Sequence, residues 1–199
     1  MFRRSGARGR RKPLAVFLAI LIAVAGLMVI NPAARAAEVS AIDSGSIRVT
    51  KTDQGDSTIY MYSNVRVDAN WSIPDGTGHA GDTFKMGLPE ELGGIVGSFE
   101  LKGKEGDPVY GTCQVARAEV VCTLNATVEG KNNVGGSLWV RAQVIKVTEA
   151  DKFVFTLRGN VKVDVPLPNG QKGIGYNPKL PTDIEKSGWF ASGDPKGIR

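Results

Sequence analysis

Short segments in which apolar and polar residues alternate follow one another along most of the chain. The clearest is Asn64–Trp71, in which Val65, Val67 and Ala69 alternate with polar or charged residues. Successive side chains of a β-strand point to opposite faces, so this pattern predicts a half-buried strand. Similar segments, each bounded by turn residues, are 47–51, 82–88, 97–101, 109–124, 153–157 and 161–165. We therefore predict an all-β fold, an antiparallel β-sandwich of about nine strands.

The segment 134–147 is the longest strand candidate, and it is apolar on both faces. This pattern indicates either a central strand or a strand whose outer face is covered by a partner. The segment contains Trp139, which together with Trp71 and Trp189 forms a candidate platform for a sugar ring. The alternative is that these tryptophans pack in the core, where large aromatic side chains contribute most.

The hairpin predicted at 109–124 carries both cysteines of the chain, Cys113 and Cys122. A symmetric turn centred between Arg117 and Ala118 places the two cysteines opposite each other. With a two-residue loop, the pair falls at a non-hydrogen-bonded position, where the side chains of two strands approach most closely. We therefore predict a disulfide. The loop lacks the Gly or Asn that a two-residue turn prefers, so a four-residue loop in the same register fits equally well.

The first 36 residues have the order of an export signal. Six basic residues lie within positions 1–12, an apolar run of 17 residues follows at 14–30, and Ala34-Arg35-Ala36 has the small-residue pattern of a cleavage site. We predict a signal peptide at 1–36 and ordinary secretion. An uncleaved membrane anchor is the alternative, because the apolar run is just long enough to span a bilayer.

Removal of this signal changes the charge of the protein. Seven of the 25 basic residues and none of the 20 acidic residues precede Ala37, which leaves 18 against 20 and a net charge of −2. The basic balance of the whole chain therefore belongs to the signal. We predict no nucleic-acid partner, and contact with a membrane only through the signal peptide before cleavage.

The composition divides the remainder into three parts. Residues 37–166 hold the strand pattern of one domain, 167–185 is a linker rich in Gly and Pro, and 186–199 is predicted to be the truncated start of a second domain. Catalytic patterns are weak. His79 is the sole histidine and lies in a Gly-rich turn with no Ser or Cys nucleophile motif beside it. We predict a protein that is not an enzyme and needs neither a cofactor nor a metal.

The stretch Val121–Glu129, with the sequence VCTLNATVE, and the following 133–140 resemble the T-Y-T-F-T-D-Y-V-D strand and its successor in the immunoglobulin-like adhesin domains of Gram-positive surface proteins. The resemblance extends upstream through 65–74 and 80–89, and downstream to Lys186–Phe190. It covers roughly residues 46–190, and actinobacterial surface proteins with a cysteine hairpin are the most similar. The family is the fibrinogen- and collagen-binding type, with tandem sandwich domains.

The resemblance implies an immunoglobulin-like sandwich on the cell surface or cell wall, which binds a host matrix protein or peptide. It also implies that a strand from a following Ig-like domain complements this one beside the motif. The candidate latch-strand or ligand-cleft residues are Thr123, Leu124, Asn125, Ala126, Thr127, Val128 and Glu129. Two alternatives remain open: a carbohydrate-binding module of a secreted enzyme, and a structural spacer or pilin-like domain.

Overall fold

The computed structural model describes residues 36–178. The predicted signal peptide, except Ala36, and the predicted start of a second domain lie outside these residues. Within the described range, no helix has the length and hydropathy that a membrane crossing requires.

Ten β-strands form two antiparallel sheets in the described part of the chain. They are β1 Arg48–Lys51, β2 Asn64–Ser72, β3 Thr83–Gly87, β4 Leu92–Gly94, β5 Gly97–Lys102, β6 Val109–Val115, β7 Glu119–Leu124, β8 Gly135–Val144, β9 Lys152–Leu157 and β10 Val161–Pro166. The four-stranded sheet has the order β1-β2-β8-β4, and the six-stranded sheet has the order β10-β9-β3-β7-β6-β5. Single turns of 3-10 helix lie at Ser44–Ser46, Ala126–Val128, Arg158–Asn160 and Pro168–Gly170.

The predicted all-β sandwich is confirmed, with one strand more than the alternation indicated. The additional strand is β4, which has only three residues and is too short to show a period of two. It follows a turn in which the Leu92 N–H donates to the Pro89 carbonyl. Proline has no N–H to give to a sheet, so the chain turns there before it pairs again.

The core is built from the inward faces of the two sheets. In β2 the predicted alternation is observed: Val65, Val67, Ala69 and Trp71 are buried, and the residues between them point outward. Trp71 stacks on Phe84 of β3 with ring centroids 5.8 Å apart and meets Tyr110 of β6 edge-on at 6.0 Å. Each such side chain contributes roughly 1.5–3 kcal/mol by burial. These aromatic contacts therefore join the two sheets.

The register predicted for the cysteine hairpin is confirmed. Val115 pairs with Val120, and Cys113 pairs with Cys122, which form a disulfide with Cα atoms 3.9 Å apart. The Ala116 N–H donates to the Glu119 carbonyl, so the loop is the two-residue form. The two loop carbonyls also accept hydrogen bonds: the Leu88 N–H donates to the Ala118 carbonyl, and the Gly94 N–H donates to the Arg117 carbonyl.

Gly111 occupies a position in β6 where no side chain fits. A Cβ atom there would lie 2.2 Å from the carbonyl oxygen of Thr123 on β7, which is backbone and cannot move aside. We expect Gly111→Ala to lower the free energy of unfolding by about 1–3 kcal/mol in a urea titration, as overpacking does. Gly97→Ala in β5 is the matched control, because nothing lies within 4 Å of its Cβ position. Equal stability of the two variants would contradict the close approach of β6 and β7.

The described part of the predicted linker packs on the domain. Leu167 and Ile174 are buried, and Ile174 forms a bridge with Thr148. The side chain of Gln171 accepts from the Ile59 N–H and donates to the Ile59 carbonyl, and the Met61 N–H donates to the Gly175 carbonyl. The segment is rich in Gly and Pro, as a flexible spacer would be, but as far as residue 175 it folds back and packs on the domain.

Candidate functional site

The first two residues of the predicted latch segment lie inside a sheet. Thr123 pairs with Thr83 of β3 on one side and with Thr112 of β6 on the other. Leu124 pairs with Gly111, and its N–H donates to the Asp82 carbonyl. Both edges of β7 are therefore occupied. An incoming strand would have to displace β3 or β6 to pair here.

The other five residues of the segment leave the sheet and close one end of the sandwich. Ala126–Val128 form a 3-10 turn, whose N-cap is Asn125: its side chain accepts from the Thr127 N–H at 2.9 Å and donates to the Val109 carbonyl. Val128 is buried, and the Glu129 carboxylate accepts from the Ala80 N–H. These five residues present no strand edge, so the structure places the seven candidates together without an open edge for an added strand.

An unpaired edge exists on β8, the strand that follows. β8 pairs with β2 over residues 135–143, but with β4 only at 142–144. The N–H of Val144 points to the β2 side and donates to the Ser63 carbonyl. Ile145 and Arg141 point the opposite way, because the Ile145 N–H donates to the Glu91 carbonyl and the Arg141 carbonyl accepts from the Ile95 N–H. Odd-numbered residues of β8 therefore direct their backbone groups away from β2.

Two of these odd-numbered residues have free backbone groups. No hydrogen bond from any residue within 36–178 reaches the N–H and C=O groups of Ser137 and Trp139. Unpaired groups of this kind are the template on which another strand can pair. Sequence reasoning missed this edge, since it arises from the shortness of β4 and not from any pattern within β8.

The edge of β8 opens into a slot of about 600 Å³ between the two sheets. On its far side lies β5, which is the edge strand of the six-stranded sheet. Besides Trp139, the apolar lining residues are Ile95, Phe99, Val115, Leu138 and Val140, and the charged ones are Glu100, Lys102 and Arg141. The volume lies in the range of ordinary ligand pockets, about 300–1,000 Å³. Apolar side chains could therefore enter the slot from a segment that pairs with β8.

Both ends of the slot are closed by backbone. At one end the Ile95 N–H donates to the Arg141 carbonyl at 3.0 Å. At the other end Gly136 lies against the loop after β5, so that a Cβ atom there would be 2.7 Å from the Lys102 carbonyl oxygen. The open stretch between them, residues 137–140, is about 13 Å long at the rise of a β-strand. The slot thus accepts a short extended segment.

Trp139 lies at the rim of this slot, on the outer face of the four-stranded sheet. Its side chain is 46% exposed, whereas that of Trp71 is 2% exposed. The Cζ atoms of Arg66 and Arg141 lie 4.8 and 6.0 Å from its ring centroid. Both distances suit cation–π contacts. The prediction that the tryptophans pack in the core is therefore confirmed for Trp71 and wrong for Trp139.

The described residues contain no cluster of metal-ligating side chains. Within 36–178 no three His, Cys, Asp or Glu side chains are grouped as a metal ion would require. Burial raises the pKa of the Tyr110 hydroxyl, and the nearby charge of Asp107 adds to the shift. A hydrogen bond to Asp164 raises the pKa of the exposed Lys152. Both shifts have structural causes, and neither residue lines the slot.

Comparisons with known proteins agree with this architecture. The model of the family described as bacterial Ig domain matches residues 58–152, from just before β2 to the start of β9. The described body thus has an immunoglobulin-like fold, and its central part is similar to bacterial Ig domains. Its fold is similar to parts of two solved surface proteins of Gram-positive bacteria.

The first is the collagen adhesin of S. aureus, with 16% identity and a TM-score of 0.51, over 73% of this chain and 47% of that one. The second is a serine-rich repeat protein of Streptococcus agalactiae, with 14% identity and a TM-score of 0.50, over 75% and 49%. The chain therefore spans about half the length of each. At these identities the likeness concerns the fold. No curated protein sequence matches the chain.

Proposed function

We propose that this chain is the ligand-proximal domain of a bacterial cell-surface adhesin, and that it accepts an extended peptide as an added strand on β8. The observation that carries the proposal is that the backbone N–H and C=O groups of Ser137 and Trp139, which point away from β2, are free beside an apolar slot. In strand addition, backbone hydrogen bonds supply affinity and pockets for alternate side chains supply selectivity. The accepted segment comes from a host matrix protein or from a following Ig-like domain.

Three further features support a surface adhesin. The export signal predicted at 1–36 would direct the chain out of the cytoplasm. The disulfide of the cysteine hairpin is typical of exported proteins. The collagen adhesin with a similar fold is a protein whose name states a matrix ligand. We therefore propose location at the cell surface or cell wall, binding of a host matrix protein, and no catalytic activity.

A proline at position 137 tests the use of the β8 edge. The Ser137 N–H points away from β2, so Ser137→Pro removes a docking donor without removing a ladder bond. The probe is the full chain with a seven-residue segment of alternating Val and Thr, joined after Arg199 by a flexible Gly/Ser linker. Such tethering gives an effective concentration of about millimolar. We expect the segment to slow hydrogen exchange of the Trp139 amide, and Ser137→Pro to abolish this protection.

Ser137→Ala is the matched control, because it removes the hydroxyl and keeps the backbone donor. It should retain the protection, and both variants should unfold within about 1 kcal/mol of the parent, as expected for a change outside the ladder. If the tethered segment leaves the Trp139 amide unprotected in the parent chain, strand addition at β8 is wrong.

A carbohydrate-binding module is the second candidate, and the exposure of Trp139 favours it. Stacking on a sugar requires an open indole face, whereas here the guanidinium of Arg66 lies over the ring, 4.8 Å from its centroid. Glycan-array binding that is lost in Trp139→Ala would support the module and count against the adhesin.

A further inference from the structure

We infer that the segment accepted by β8 alternates acidic and apolar residues, with the acidic side chains on the outer face of the sheet. The inference rests on the proposed function and adds the chemistry of the partner. Neighbouring strands place directly opposed side chains about 4.5–5.5 Å apart. Outward side chains of an added strand would therefore lie next to those of Ser137, Trp139 and Arg141, which are the outward residues of β8.

The first reason is an unfavourable pair of charges on this face. In the register of β2 and β8, Arg66 lies directly opposite Arg141. Like charges in such positions repel each other, so they destabilise an unoccupied sheet. Arg66 is partly neutralised by Asp68, which accepts from its Nε at 2.8 Å. Arg141 has no ion pair with any residue in the described range. An anion beside Arg141 would relieve the repulsion.

The second reason is that the other charged groups near the slot are engaged. At its rim, the Lys102 ammonium pairs with Glu100 at 3.3 Å. Asp53 lies near the opposite side of Trp139, and its carboxylate accepts from the backbone and side-chain N–H groups of Asn64 at 2.7 and 2.8 Å. Among the cations that line the slot within residues 36–178, the guanidinium of Arg141 is thus the one without an ion pair, and its contact with the Trp139 ring keeps it near the edge of β8.

The third reason concerns the inward positions of the added strand. Side chains that alternate with the outward ones point between the sheets, where Phe99, Val115, Leu138 and Val140 form the floor of the slot. A charged group there would lose hydration without gaining a partner. The two faces together select a segment that is acidic on one side and apolar on the other.

The test compares three segments tethered after Arg199 of the full chain. The first alternates Val with Asp and Glu, the second alternates Val with Asn and Gln, and the third alternates Val with Lys. Occupancy is measured as protection of the Trp139 amide against hydrogen exchange. We expect the protection factor of the Trp139 amide to be at least about threefold higher with the acidic segment than with the amide segment, which is the size of effect that a partly exposed ion pair has. The lysine segment should give the lowest protection factor. Raised salt should narrow these differences.

Arg141→Gln should reduce protection by the acidic segment to the level of the amide segment and leave the amide segment unchanged. Arg158→Gln is the matched control, an exposed arginine in the turn between β9 and β10. It should change neither value. Equal protection by all three segments would overturn the acidic preference and leave strand addition intact, whereas protection by none would overturn the proposed function itself.

Discussion

Replacement of Trp71 by alanine is expected to lower the free energy of unfolding by about 3–5 kcal/mol. Trp71 is buried, and its ring contacts Phe84 and Tyr110 on the opposite sheet. Its removal leaves a cavity at the junction of the sheets, bounded by strands whose registers prevent collapse. Urea unfolding followed by far-UV circular dichroism measures the loss.

Trp139→Ala is the matched control for this substitution, since it removes the same side chain from the neighbouring strand of the same sheet. Trp139 is exposed on the outer face, and we expect a change within about 1 kcal/mol there, as for most surface substitutions. A loss at Trp139 as large as that at Trp71 would show that the outer face is buried by another part of the protein.

Loss of the disulfide is expected to lower the free energy of unfolding by about 2–5 kcal/mol. Cys113 and Cys122 lie in the core, on adjacent strands of the six-stranded sheet. The bond restricts the unfolded chain, and its sulfur atoms also fill space between the sheets. The double substitution Cys113→Ala with Cys122→Ala, compared with the oxidised parent in a urea titration, measures both contributions together.

Reduction of the parent chain separates the two contributions of the disulfide. The reduced protein keeps both sulfur atoms and loses only the crosslink, so it should unfold between the oxidised parent and the double variant. If reduction leaves the unfolding midpoint unchanged, the crosslink has no part in fixing the hairpin.

Much of the fold could be predicted because its signals are local. The alternation in β2 states which residues face the core, and two cysteines at hairpin spacing define the register of β6 and β7. The turn at Arg158–Asn160 between two apolar runs likewise predicts the last hairpin. The outward direction of the Trp139 side chain could also be predicted. Trp139 and Arg141 are two residues apart, so they lie on the same face of the strand, and a charged residue indicates that this face points outward.

The site could not be predicted in this way, because an open edge is a property of neighbours. Whether β7 lies inside the sheet depends on β3 and β6, which are placed by contacts distant in sequence. The motif at 121–129 therefore identified a family resemblance and not a free edge. The edge of β8 is open because β4 is short, and no pattern within residues 135–144 predicts this.

The charges around Trp139 have a consequence for solubility. An open strand edge invites two copies of a protein to join into a continuous sheet, which is the first step of aggregation. Pairing between the β8 strands of two copies would bring their arginine-bearing faces side by side. Arg141 of each copy would then lie beside the new contact, where the two like charges would repel each other. The charged side chains beside the edge thus disfavour self-association and keep the edge open to a different strand.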